Sequence, residues 1–265
     1  MDKIKEIKKK FFFTWLRLKA LDFLKLGADN GIRRMGPYRV SVLSFGDFEY
    51  LFRHIFWKME YYFESENPAP FILDCGSNIG VSVLFFKTLF PAATIKAFEP
   101  SPGAFACLQA NILQNSLENV SAHNLALAGE AGDLELFVPP ENQGHLCTSS
   151  AAGRTPGGKA IRVEAVTLSP FVDRPVDLVK MDIEGPETQV LAEMEQAGSL
   201  NMVSRLIVEY HHHLTPGDDG LSQILGILER NGFGYHIDSP PKLLYLPGTF
   251  QDIMIRAYKR RGDSK

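Results

Sequence analysis

Cysteine is scarce. Cys75, Cys107 and Cys147 are the only three in 265 residues, and no two form a Cys-x-x-Cys pair. An odd, widely spaced set excludes a disulfide framework and a cysteine-based zinc site, and it suits a reducing compartment. Long apolar runs are missing as well. The aromatic stretch Phe11 to Leu16 is cut by Arg17, Lys19, Asp22 and Lys25, well before the ~18 residues that a membrane span requires. Its basic flank imitates the start of a signal peptide, but no small-residue cleavage site follows, so the segment reads as a helix of the folded protein. A strong field of one sign is also absent. The net charge is −3, which argues against long nucleic acid as a partner. Internal repeats and low-complexity tracts do not occur.

Charge is uneven along the chain. Residues 1–26 hold eight Lys or Arg against Asp2, Glu6 and Asp22. Within them Phe12, Trp15, Leu16, the stem of Lys19, Phe23 and Leu26 recur at helical spacing, which predicts a helix packed on the domain. A second reading is that this basic, aromatic helix rests on an anionic membrane surface. Residues 1–64 read as an N-terminal helical cap. Tyr38 to Val42 alternates as a short strand, and the span from Asp47 to Phe63 has a helical period. The polar, proline-broken joint Glu64 to Pro70 separates this cap from the remainder, residues 65–265.

From Phe71 onward strand and helix patterns alternate, which predicts an α/β domain with a mostly parallel sheet. Strands are expected near 71–75, 94–98, 120–125, 176–182, 205–210, 233–237 and 251–257, and helices near 79–90, 102–116, 186–198 and 219–231. Residues 130–170 interrupt the pattern with two alternating strands, Leu134 to Val138 and Ile161 to Val166. The Gly/Ser/Thr-rich stretch Gln143 to Lys159 lies between them, as a solvated hairpin loop or a mobile rim of a site.

The chemistry gathers at strand ends. Phe71-Ile-Leu-Asp-Cys-Gly-Ser-Asn-Ile-Gly80 is a strand, a glycine turn and a helix start. Gly76 and Gly80 would permit positive φ or close approach of the backbone to a ligand. Asp74 sits where a pyrophosphate loop carries no acid, and D-x-G-x-x-x-G suits a cofactor with an ammonium group, such as S-adenosylmethionine. Glu99 closes the next strand 23 residues beyond Gly76, near the spacing of about 20 expected of a carboxylate on ribose hydroxyls. Farther on, Asp182 and Glu184 end the strand Val176 to Asp182, with Gly185 allowing a sharp turn and Pro186 opening a helix. Glu209 and His211-His212-His213 end the strand after it.

Asp-Cys-Gly-Ser-Asn-Ile-Gly, Phe-Glu-Pro-Ser-Pro, Val-Asp-Leu-Val-Lys-Met-Asp-Ile-Glu-Gly-Pro-Glu and Val-Glu-Tyr-His stand in the order and spacing of the FkbM-type S-adenosylmethionine-dependent methyltransferases, which the chain resembles over residues 65–258. The resemblance implies a doubly wound, seven-stranded, Rossmann-like class I methyltransferase sheet whose last strand runs antiparallel. It implies O-methylation of a hydroxyl on a sugar, polyketide or related metabolite. Asp74, Gly76, Ser77, Asn78 and Gly80 match the cofactor loop and Glu99 the ribose acid, with Ser101 beside it. Asp182, Glu184 and Glu209 match the strand-end acids.

For the general base His211 is the expected residue, since neutral imidazole is well populated near pH 7. Asp182 is expected to hold the cofactor ammonium or orient the substrate, and Glu209 to orient His211 or act as base. Strand alternation should send His211 and His213 one way and His212 the other. Asp182, Glu209 and His211 could form an oxygen-rich Mg²⁺ site, though no spacing requires one. A zinc site on the three histidines is disfavoured because adjacent ligands should splay apart. Two other functions compete. A nicotinamide-dependent oxidoreductase lacks support, with neither G-x-G-x-x-G nor Tyr-x-x-x-Lys present, and a non-catalytic binding protein would not need an intact cofactor loop. The Asn/Asp-Pro-Pro-aromatic loop of amino methylation is absent after the fourth strand, which favours oxygen acceptors. The expected partners are a small-molecule or glycan hydroxyl acceptor and no nucleic acid, in a cytoplasmic protein with peripheral membrane contact through residues 1–26 as an option.

Overall fold

The computed structural model describes residues 2–138, 158–214, 219–239 and 250–260. The chain opens with α1 (Asp2–Phe23), the antiparallel hairpin of β1 (Gly31–Met35) and β2 (Tyr38–Val42), and α2 (Phe45–Leu51), which runs on into a π-helical turn, Phe52–Trp57. Ser44 caps α2 by accepting a hydrogen bond from the Asp47 N–H. The alternating region then supplies β3 (Phe71–Cys75), α3 (Val81–Leu89), β4 (Thr94–Phe98), α4 (Pro102–Gln114) and β5 (Val120–His123). After an excursion come β9 (Leu178–Met181), α5 (Glu187–Gln196), β10 (Arg205–His212), α6 (Leu221–Arg230), β11 (Phe233–Asp238) and β12 (Gln251–Lys259).

Seven strands form one sheet in the order β11-β12-β10-β9-β3-β4-β5. All neighbours pair in parallel except β12, which is antiparallel to both β10 and β11. Strand β3 is buried along its whole length, as a central strand covered on both faces must be. One face packs on α3 and α4 through Leu84, Phe85, Ala104 and Leu108. The other packs on α5 and α6 through Val190, Leu191, Ile224 and Leu228. The excursion is a separate small sheet of β6 (Ala126–Leu127), β7 (Gly132–Val138) and β8 (Lys159–Val166). Most of the expected loop Gln143 to Lys159, with Cys147, lies outside the described residues.

The N-terminal region shares a core with α3 rather than building its own. Phe11, Phe48, Phe52 and Phe56 belong to the same buried cluster as Phe85 and Phe86. Buried Asn111 pins this region down: it accepts from the Ser41 N–H at 2.6 Å and donates to the Ser41 and Ile79 carbonyls. Helix α1 buries Ile7, Phe11, Thr14 and Leu18, and this corrects the expected stripe. Phe12, Leu16, Lys19, Phe23 and Leu26 are exposed, and Trp15 is half-buried against Trp57. The helical period was right and its phase was wrong, because Phe11 rather than Phe12 reaches the aromatic cluster. Among the described residues no helix is long and apolar enough to cross a membrane.

Candidate active site

Parallel pairing aligns the carboxyl ends of β3, β4 and β9, and a cleft of about 830 Å³, open mouth included, lies beyond them. Gly76, Ser77, Asn78, Glu99, Asp182 and Glu184 line it, with Leu51, Ile55 and Tyr61 from the N-terminal region and Leu134 and Leu136 from β7.

The loop after β3 is set by its protein neighbours. Gly76 has φ +81°, and a Cβ there would collide with the Asp182 carbonyl. Gly80 has φ +85°, and a Cβ there would stand 2.7 Å from Leu108 Cδ1. Both glycines are therefore demanded by backbone conformation and by packing on the chain itself, not by approach to a ligand alone. The N–H groups of Gly76 and Ser77 both donate to the Phe98 carbonyl, which ties the loop to β4. Ser77 is buried, its hydroxyl donating to the Asp74 carbonyl. Asn78 also holds a positive φ of 47°, and its N–H donates to Glu99 Oε2 at 2.8 Å.

Asp74 departs from its expected place. It is completely buried and does not line the cleft; it accepts from the Ser82 hydroxyl at 2.6 Å and faces Lys180 Nζ at 3.6 Å. Its charge is spent inside the protein. Lys180, equally buried, donates to the carbonyls of Cys75 and Gly76 and lies 3.7 Å from Asp182 Oδ2. The carboxylates outweigh the cost of burial and hold its pKa above the usual lysine value. Lys180 therefore fastens the glycine loop to β9. Cys75 packs at the strand end, and burial pushes its thiol up.

Glu99 is 6% exposed. Burial raises its carboxyl to about 7, against the downward pull of N–H donors from Ser101 and Asn78, each at 2.8 Å. Two fixed donors orient a carboxylate on the cleft wall.

On the far side, Asp182 accepts from the Tyr61 hydroxyl at 3.0 Å. Glu184 sits in the left-handed region at φ 61°, an uncommon conformation for a side-chain-bearing residue and one found at functional sites. Behind them His211 is almost wholly buried. Its Nδ1 meets Glu187 Oε1 at 2.7 Å, and its Nε2 lies 3.2 Å from Glu184 and 3.8 Å from Asp182. Burial favours the neutral ring, but Glu184, Glu187 and Asp182 prevail and push His211 up to about 10. That shift favours the imidazolium at neutral pH. It does not line the cleft, and it is not the free base expected from the sequence. Glu209 is held well above the ordinary carboxylate range by burial and by Asp182, which favours its neutral form, and it too stands back from the cleft.

The three histidines part in an unexpected way. His211 and His212 alternate, but His213 leaves the strand at φ 58° and joins His212, ring centroids 3.8 Å apart, beside Asp219. These two neighbours do not splay apart. As for a metal, one ligand atom each from Asp182, Glu184 and His211 falls within 4.8 Å of the others, and a second such set is Glu209, His211 and Asp252. The expected trio of Asp182, Glu209 and His211 is not among these sets. Lys180, Tyr61, Ser82 and Glu187 escaped sequence reasoning. Two of them left a sign: Lys180 is a cation inside an apolar strand, and Glu187 closes the strand-end motif.

Residues 74–235 match the family model described as the methyltransferase FkbM domain. The 31-O-demethyl-FK506 methyltransferase FkbM of Streptomyces tacrolimicus is 25% identical over 76% of this chain and 88% of its own length. The hexuronic acid methyltransferase AglP of Haloferax volcanii is 31% identical over 58% of this chain and 62% of its own. Among solved structures, methyltransferase FkbM from Methylobacillus flagellatus KT superposes with a TM-score of 0.50 at 16% identity, covering 74% of this chain and 45% of that one; the likeness is one of fold. With more than half of its length inside one family model, the chain belongs to the FkbM methyltransferases, enzymes that draw their methyl group from S-adenosylmethionine.

Proposed function

We propose that the chain methylates a hydroxyl oxygen of a sugar, polyketide or related metabolite. The observation that carries this reading is the cleft itself, with the Glu99 carboxylate braced by two N–H donors on one wall and the Asp182–Glu184 pair on the other. The cofactor supplies a methyl group already made electrophilic by its sulfonium. Glu99 accepts from the ribose hydroxyls, and the loop Gly76 to Gly80 with Ser101 shapes the cofactor wall. Because Asp74 is wholly buried and Asp182 lines the cleft, Asp182 is the carboxylate that meets the ammonium group.

What remains for the protein is to align the acceptor oxygen and take its proton. Alignment supplies up to roughly 7–11 kcal/mol of barrier lowering, and a general base about 10²–10⁴ in rate. Glu184 is the base in this reading, since it faces the cleft. Glu184 takes the hydroxyl proton and becomes neutral, and His211, clamped by Glu187, positions it through a 3.2 Å contact. The names of the relatives, one acting on 31-O-demethyl-FK506 and one on a hexuronic acid, support an oxygen acceptor.

The test starts with calorimetric titration of S-adenosylhomocysteine beside NAD, where only the former should bind. Hydroxylated sugars and polyketides are then screened against amino analogues for methyl transfer. Transfer to nitrogen alone would overturn the oxygen assignment.

A further inference from the structure

Among the described residues nothing covers one face of α1. Ile7, Phe11, Thr14 and Leu18 point inward, and Lys5, Lys9, Phe12, Leu16 and Phe23 recur at helical spacing on the opposite side. All five are exposed. Phe13 and Phe23 are 80% and 86% exposed, and Leu24, Leu26 and Ile32 carry the apolar patch past the helix end onto the hairpin. Seven of the twelve large hydrophobic side chains exposed among the described residues therefore lie between positions 12 and 32. A soluble surface seldom concentrates aromatics in this way. The surroundings are cationic: residues 1–26 carry eight basic side chains against three acidic ones, in a protein whose net charge is −3.

We propose that the outer face of α1 is a peripheral binding surface for anionic lipid. Phe12, Phe13, Leu16 and Phe23 enter the boundary between headgroups and acyl chains, and Lys5, Lys9 and their basic neighbours meet the lipid charge. Charge complementarity selects this occupant, since a second copy of the chain would bring the same cations to the interface. The helix lies in the plane of the surface and does not cross it. Its inner face holds the π-helical turn Phe52–Trp57 through Phe11 and Trp15, and that turn supplies Ile55 to the cleft. Docking thus sets the cleft wall about one helix diameter, ~10–12 Å, from the lipid. The surface assignment does not depend on which acceptor the enzyme methylates.

The experiment is co-sedimentation of the full chain with phosphatidylcholine vesicles, with and without phosphatidylserine. The protein should pellet with the mixed vesicles and stay in solution with phosphatidylcholine alone, and high salt should release it. Phe13→Ser with Phe23→Ser, and separately Lys5→Glu with Lys9→Glu, should each lower the bound fraction at least several-fold. Both variants should bind S-adenosylhomocysteine as the parent does, which separates loss of docking from loss of fold or of the cofactor site. A parent protein that stays in solution with mixed vesicles overturns the proposal, as do variants that pellet unchanged. So would a dimer in sedimentation velocity that dissociates in the phenylalanine variant without any lipid binding, because the face would then belong to a second copy.

Discussion

Glu99 illustrates what a single carboxyl gains and loses by burial. With its carboxyl raised to about 7, the balance between its neutral and ionised forms shifts within the physiological range, and ribose hydroxyls donate more strongly to the ionised form. Affinity for S-adenosylhomocysteine should therefore rise between about pH 6 and pH 8, and Glu99→Gln should bind more weakly with that slope removed; a parent affinity flat across this window would refute the ribose role. Asp182 and Glu184 divide two tasks that neutral isosteres can separate. Asp182→Asn should weaken S-adenosylhomocysteine binding by about 1.5–3 kcal/mol. Glu184→Gln should leave binding nearly intact and lower kcat by about 10²–10⁴. Steady-state kinetics beside calorimetry reads both, and the assignment fails if the two phenotypes are exchanged. At this scale the sequence tells residue type and strand position but not direction. Lys180 lies against both Asp74 and Asp182, yet Ser82 holds the first inside the protein while the Tyr61 hydroxyl meets the second at the cleft. The charge of His211 was hidden for the same reason, since Glu187 reaches it only after α5 has folded back.

Elements were far more legible than the contacts between them. The apolar runs of β3, β4 and β10 and the helices after them follow from periodicity, because a buried parallel strand admits few polar residues. Helix α1 shows the limit: a helix with aromatics on two faces gives a clear period and an ambiguous phase, and the partner cluster on the π-helical turn decides which face goes inward. The loop after β3 is where element geometry is least forgiving. Gly76→Ala combines a positive φ with a collision against the Asp182 carbonyl, so it should destabilise the fold by about 2–5 kcal/mol and abolish cofactor binding. Thermal unfolding with and without S-adenosylhomocysteine measures both, and a variant with parental melting temperature and affinity would show that the loop can relax in a way its packing denies.

For the whole molecule, buried charge couples fold to pH. His211 is raised from 6.5 to about 10, so its ion pairs contribute stability that is complete below 6.5 and lost as pH rises through 10. Glu99 acts with the same sign at lower pH, because ionising a buried acid becomes costly as pH passes from 4.5 to about 7. The melting temperature should thus decline from mildly acidic to alkaline pH. His211→Gln should melt lower at neutral pH and show a flatter decline above pH 6.5, and equal slopes in parent and variant would count against the imidazolium. The α/β architecture was readable across this scale, down to the antiparallel last strand implied by the family resemblance; the merging of the N-terminal region into the α3 core was not, because shared burial leaves no local pattern. One consequence of that merging is optical. The protein has two tryptophans, and Trp15 of α1 stacks on Trp57 with centroids 4.5 Å apart and planes 10° from parallel. A pair this close should couple through its strong far-ultraviolet transitions, so the dichroism of the untouched protein should carry a contribution that is lost when α1 leaves its seat, an internal gauge of the helix that needs no label.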